Sequence, residues 1–140
     1  MFYRLFLIAI CLSFSVSSSP AFARITDDQL AVIVAQINEG LPAMRDKITR
    51  IDKVEAAPNA MILYSNTLRK ITTEELARRN LKKESFVAYL TPVQKNHILN
   101  NDQMMNFLQR GGRFQYDYFL ETGEPFFTLE FARDDFTSVP

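Results

Sequence analysis

The clearest pattern of apolar and polar positions lies between Gly112 and Ala132. Phe114, Tyr116, Tyr118 and Leu120 alternate with Arg113, Gln115 and Asp117; beyond Thr122-Gly123, Phe127, Leu129 and Phe131 alternate with Thr128 and Glu130. A period of two marks a strand with one buried face, because successive side chains leave the pleated backbone on opposite sides. Two such runs joined by a short Gly-containing segment predict a hairpin. Folding at Thr122-Gly123 sets Tyr118 opposite Phe127, Tyr116 opposite Leu129 and Phe114 opposite Phe131, all on one face. A slip of one residue would set those rings against Glu130 and Thr128, so the register is well specified. In the same register Phe119 and Phe126 are cross-strand neighbours on the other face. A lone hairpin is marginal in water, so something apolar must cover the ring-bearing side.

The cover is predicted near the start of the chain. Thr26-Asp27-Asp28-Gln29 reads as a capping box, and Leu30, Ile33, Val34 and Ile37 follow at helical spacing. Gly40 and Pro42 stop that helix. From Leu41 to Ala57 the signals conflict: the spacing of Ile48, Ile51 and Val54 favours helix, while the β-branched content favours strand. The turn Ala57-Pro58-Asn59-Ala60 and the run Met61-Ile62-Leu63-Tyr64 decide for a hairpin, with a bulge near Lys53. A second capping box starts at Thr72-Thr73-Glu74-Glu75. Thr91-Pro92 reads as a fresh N-cap with Pro at the first helical position, giving a helix to about Leu99. Asn101-Asp102 opens a short helix closed by Gly111-Gly112. The resulting order, α-ββ-ααα-ββ, predicts an α+β fold: an antiparallel sheet of two β-hairpins covered on one face by helices.

The first residues change the picture of where this domain works. Met1-Phe2-Tyr3-Arg4, an apolar run from Leu5 to Val16 and an Ala-x-Ala site at Ala21-Phe22-Ala23 form a secretory signal peptide over residues 1–23. The run is too short to span a membrane, which takes about 20 residues. Lipid attachment at Cys11 is disfavoured by Ile10, where a small residue would be needed. Cleavage after Ala23 removes 23 of 140 residues and leaves 117, one domain over 24–140 that is periplasmic or secreted. Losing Arg4 leaves 15 basic against 16 acidic residues, a net of −1, which argues against nucleic acid or an anionic membrane as main partner. Cys11, the single cysteine, leaves with the signal peptide, so the exported chain has no disulfide or thiol nucleophile. With one histidine, neither a metal site nor a cofactor is expected.

Candidate chemistry is sparse. Asp46, Arg50 and Asp52 form a polar cluster: either an acidic pair positioned by arginine for acid–base or ligand work, or an ion-pair network fixing an irregular strand. Asp117 sits between two tyrosines and is either a groove residue or the solvated side of a strand. His97 could act as a general base, yet no serine or cysteine nucleophile occurs in a recognisable motif. Arg78, Arg79, Lys82 and Lys83 give a basic helix face, solvated or meeting an anionic partner. Phe119 and Phe126, if uncovered, would mark a partner site with Asp117; if covered by a helix or the tail they are structural.

Leu41-Pro42-Ala43-Met44-Arg45-Asp46-Lys47-Ile48-Thr49-Arg50-Ile51-Asp52 fits the pattern L-P-x-M-x-D-x-x-T-R-x-D, and Gly111, Tyr116, Tyr118 and Gly123 fit an ending of G-x-x-x-x-Y-x-Y with a Gly turn. With a strand ending in Tyr64 between them, the chain resembles a group of small exported proteins of Gram-negative bacteria. The resemblance implies a periplasmic or secreted α+β domain and carries no established activity. Members of that group often have cysteines before the short last helix and after the last strand, where this chain has Asn100-Asn101 and Asp135-Phe136. The resemblance implies that these two regions are neighbours. The expected function is a non-enzymatic protein-binding or accessory module of the envelope, a class that includes inhibitor-like roles, with another envelope or secreted protein as partner. The alternatives are a secreted host-interaction factor, or a small hydrolase or ligand-binding enzyme using Asp46, Asp52 or His97.

Overall fold

The computed structural model describes residues 23–137, so the expected signal peptide lies outside the described residues except for Ala23. Helix α1, Asp27–Asn38, opens with the capping box: Gln29 N–H donates to Thr26 Oγ1 at 3.2 Å and Thr26 N–H to Gln29 Oε1 at 3.1 Å. Two orphan amides at the helix start are thereby satisfied. Leu30 and Val34 are buried, and Ile33 and Ile37 pack against the core from its margin. The strands are β1 (Ala43–Met44), β2 (Thr49–Ala57), β3 (Met61–Leu68), β4 (Arg113–Leu120) and β5 (Pro125–Phe131). Helices α2 (Thr73–Arg78), α3 (Lys83–Leu99) and α4 (Asp102–Gln109) join β3 to β4, and a 3-10 turn, Arg133–Asp135, follows β5.

The five strands form one sheet in the order β1-β2-β3-β4-β5. Both hairpins are present, and the short β1 adds an edge strand that the sequence pattern did not predict. The sheet is not purely antiparallel as expected: β3 and β4 pair in parallel, Met61 with Arg113 through Leu68 with Leu120. The reason is the connection. Three helices lie between β3 and β4, and a helical crossover returns the chain to the end from which β3 started. The C-terminal register matches expectation, with Tyr118 on Phe127, Tyr116 on Leu129 and Phe114 on Phe131. The bulge near Lys53 is also present, between Ile51 and Lys53.

The helix break differs from its predicted position. Helix α3 runs through Thr91-Pro92, and the chain breaks earlier, at Asn80. Asn80 has φ 51°, and Leu81 N–H donates back to Leu76 O at 2.9 Å, the left-handed helix stop that Asn tolerates. Pro92 sits on the exposed side of α3, and Ala88, whose carbonyl loses its usual donor to the proline, is exposed as well.

All helices lie on one face of the sheet. There Ile51, Val54, Ile62, Tyr64, Leu68, Phe114, Tyr116, Tyr118, Leu120, Leu129 and Phe131 are buried. Tyr64 stacks on Tyr116 across the parallel pair at 4.7 Å, and Tyr118 on Phe127 at 4.5 Å. Stacks of this kind contribute about 0.5–1.5 kcal/mol each beyond burial. Gly112 lets α4 close on the sheet, since a β-carbon there would overlap the Phe107 ring. The 3-10 turn contacts α4, and Lys95 of α3 lies over the Phe136 ring, so the C-terminal segment packs along these two helices.

The outer edge of β2 beyond β1 is closed by a side chain. Asn38, the last residue of α1, donates from Nδ2 to Val54 O at 2.7 Å and accepts Val54 N–H on Oδ1 at 2.9 Å. One amide thus imitates a neighbouring strand and pins α1 to the sheet at the bulge. Asn38→Ala is expected to lower the unfolding free energy by about 1–3 kcal/mol, as both Val54 groups lose a partner. Asn38→Asp, which cannot donate, should do no better, and urea denaturation of the two variants checks this.

Candidate functional site

An apolar cleft of about 260 Å³ opens between α1 and α4. Its floor is the sheet, through Ile62, Tyr64 and Phe114; Ile33 and Ile37 form one wall, and Met104 and Phe107 the other. Polar lining comes from exposed Asp102, Gln103 and Asn106 and from half-buried Gln36 and Arg110. Arg110 is held at one end by donating to Gln29 Oε1 at 3.1 Å and, in the uncleaved chain, to Ala23 O at 2.8 Å. Pockets for small molecules usually enclose about 300–1,000 Å³, so this volume suits a few anchoring side chains better than a cofactor. Sequence reasoning missed the cleft. Its signal was an excess of apolar positions: Ile33 and Ile37 widen the stripe of α1 beyond the buried Leu30 and Val34, and only the packing shows that part of that width stays uncovered.

The predicted polar cluster separates. Arg50 and Asp52 do meet, Nε to Oδ1 at 2.5 Å, and Asp52 also accepts from Thr67 Oγ1 at 2.5 Å across β2 and β3. This network lies on the sheet face away from the helices and fixes the bulge. Asp46 turns elsewhere: its Oδ1 accepts Ile48 N–H at 2.9 Å and Thr49 N–H at 2.7 Å, closing the loop before β2. Asp117 accepts from Gln115 Nε2 at 2.9 Å and Thr128 Oγ1 at 2.7 Å, a strand-surface network. On the basic helix face, Arg78 and Arg79 converge on Glu75.

Phe119 and Phe126 are not cross-strand neighbours. A register shift after Tyr118 pairs Phe119 with Pro125 and leaves Phe126 as an extra residue in β5. A bulge breaks the alternation, so Phe126 joins Phe127 on the helix side. Its ring meets Phe86 of α3 edge-on at 5.4 Å and Phe127 at 5.3 Å, while Phe119 alone stays on the open face, half-buried.

His97 belongs to a polar seam beneath α3. Gln94, one turn earlier and fully buried, donates from Nε2 to Tyr118 Oη at 2.7 Å, which sets the register of α3 on the sheet. The Arg45 charge reaches this seam and acts on Tyr64, Tyr116, Tyr118 and His97. Burial raises the Tyr116 hydroxyl well above its ordinary value of 10, with Tyr64 adding and Arg45 opposing. Burial lowers the His97 imidazole below its ordinary value of 6.5, and Arg45 pushes the same way. His97 on the helix side and Asp52 on the open face are therefore separated by the sheet. Among the described residues no group of three His, Cys, Asp or Glu side chains could hold a metal ion, and no helix is long and apolar enough to cross a membrane.

No protein-family model matches the chain, and no curated protein matches it in sequence. Two solved structures share the fold. A Pseudomonas aeruginosa protein inferred to be secreted is 16% identical with a TM-score of 0.59, covering 76% of this chain and 88% of its own. A pilotin from the Vibrio vulnificus type 2 secretion system is 11% identical with a TM-score of 0.58, covering 80% of this chain and 88% of its own. At such identities the likeness establishes the fold.

Two outcomes follow from these positions. Phe126→Ser should cost about 1–3 kcal/mol of stability through lost packing on Phe86, and Phe119→Ser less than about 1 kcal/mol; paired chemical denaturation curves test the contrast. For His97 the folded value is the depressed one, so the unfolded chain binds the proton more readily. Stability from this group is full above pH 6.5 and is lost as pH falls below it. His97→Gln should flatten the fall in stability between about pH 7 and 5, measured as the difference in melting temperature from the unaltered protein across that range.

Proposed function

We propose that this is a non-enzymatic accessory protein of the bacterial envelope that binds another exported protein, seating apolar side chains of that partner in the cleft between α1 and α4. The observation that carries the reading is the cleft itself. Half-buried isoleucines and sheet rings line a concavity that the chain's own helices leave open, and such anchoring pockets supply most of the binding energy in protein interfaces. The signal-like start of the sequence supports a partner in the periplasm or outside the cell. The pilotin that shares the fold, a component of a type 2 secretion system, supports an accessory role.

The groups that could carry acid–base chemistry argue for the same reading by their separation. Asp46 is engaged by loop amides, and Asp52 is engaged by Arg50 and Thr67 on the sheet face opposite His97. A general base must lie within hydrogen-bond reach of the proton it abstracts, and the sheet keeps Asp52 and His97 from acting on one substrate together.

A photo-crosslinking amino acid at Asn106, beside the cleft, should capture a protein partner in envelope preparations, and the same group at Phe119 on the open sheet face should not. Asn106→Trp, which fills the cleft from an exposed position, should abolish capture at Gln36 with unchanged circular dichroism. Capture from Phe119 but not from Asn106 or Gln36 would refute cleft docking.

A further inference from the structure

The apolar cleft continues into a second concavity of about 800 Å³ at the end of the sheet, and Ile25 and Arg110 line both. This second basin carries four arginines, Arg24, Arg110, Arg113 and Arg133, against two aspartates, Asp27 and Asp134. Over the whole chain basic and acidic residues balance at 16 each, so the excess at this end is local. The acidic partners present hold these arginines weakly. Arg113 meets Glu130 at 3.3 Å and Arg133 meets Asp134 at 3.8 Å, all of them substantially exposed, and exposed pairs of this kind contribute little. Arg110 is different. Its backbone and side chain are tied to the segment that remains before α1 after the expected cleavage, through Ile25 N–H to Arg110 O at 3.2 Å and Arg110 Nη2 to Gln29 Oε1 at 3.1 Å, so its guanidinium stays at the junction of the two concavities.

Resting on the proposed docking role, we infer that the segment occupying the cleft is amphipathic in one direction. It carries large apolar side chains for the cleft, followed by carboxylates, from Asp, Glu or a free C-terminus, that enter the arginine basin. Arginine forks match carboxylate geometry, and a carboxylate arriving beside Arg110 exchanges weak surface pairs for charge-assisted bonds at a partly buried position. The apolar compartment is too small for most of a long acyl chain, which favours a protein segment over a lipid.

The test selects binders of the exported protein from a random dodecapeptide library displayed with free C-termini, then measures synthetic versions by fluorescence anisotropy. Expected binders carry at least two large apolar residues with Asp, Glu or the terminal carboxylate on one side of them. Converting those carboxylates to amides should weaken binding about fivefold or more at low salt, and less at high salt. The double variant Arg24→Gln, Arg133→Gln, altered only at exposed positions, should shrink that difference to the part carried by Arg110 and Arg113 and leave the amide peptides' affinity unchanged. Binders that are blocked by Asn106→Trp but show no preference for carboxylates overturn the charge inference while cleft docking stands. A library that yields no binder sensitive to Asn106→Trp overturns both. Dodecanoate displacing every peptide and binding more tightly than any of them overturns the choice of a protein segment.

Discussion

The parallel pairing of β3 with β4 is the constraint on which the rest of the structure depends. It brings Tyr64 face to face with Tyr116 and joins two hairpins, each marginal alone, into a single five-stranded sheet. It also requires the chain between the two strands to cross back over the sheet, which is what the three helices α2 to α4 do. Their position over the ring-bearing face follows, because that face is the one needing cover. α4 then comes to rest beside α1, and the gap between them over Ile62, Tyr64 and Phe114 is the cleft.

Two bulges determine which side chains each face displays. In β2 the extra residue returns Val54 to the buried face after Ile51 and sets Asp52 beside Arg50 and Thr67 on the open one. In β5 it turns Phe126 under α3, where its ring meets Phe86. The open face is left with short hydrogen-bonded networks centred on Asp52 and Asp117. The helix side holds the apolar cleft, and Phe126 lies on that side rather than beside Phe119.

The chemistry of the cleft and of its neighbouring basin differs in kind. One is lined by aliphatic and aromatic carbon, the other by guanidinium groups, and Arg110 stands between them. The half-buried isoleucines of α1 serve both the core and the cleft, so the stability of the fold and the shape of the cleft draw on the same helix. The Asn38 link that fixes the end of α1 to β2 also steadies this wall.

Local periodicity by itself determined the elements. The alternation from Phe114 to Phe131 fixed a hairpin and its register as far as Tyr118 and Phe127, Thr26 and Gln29 fixed where α1 begins, and the mixed signals around Lys53 announced a bulge, because each depends on neighbours within a few residues. The pattern misread Pro92 as a helix start, since a proline tolerated on an exposed helix side looks the same in sequence as one at a first turn, and it passed over Asn80, whose left-handed backbone ended α2. Only the tertiary structure decided the parallel join of β3 to β4, the side on which Phe126 lies, and the neighbouring of α1 with α4. These depend on contacts between segments far apart in the chain, where hydrophobic burial is non-directional and many pairings satisfy the same pattern until the whole sheet is assembled.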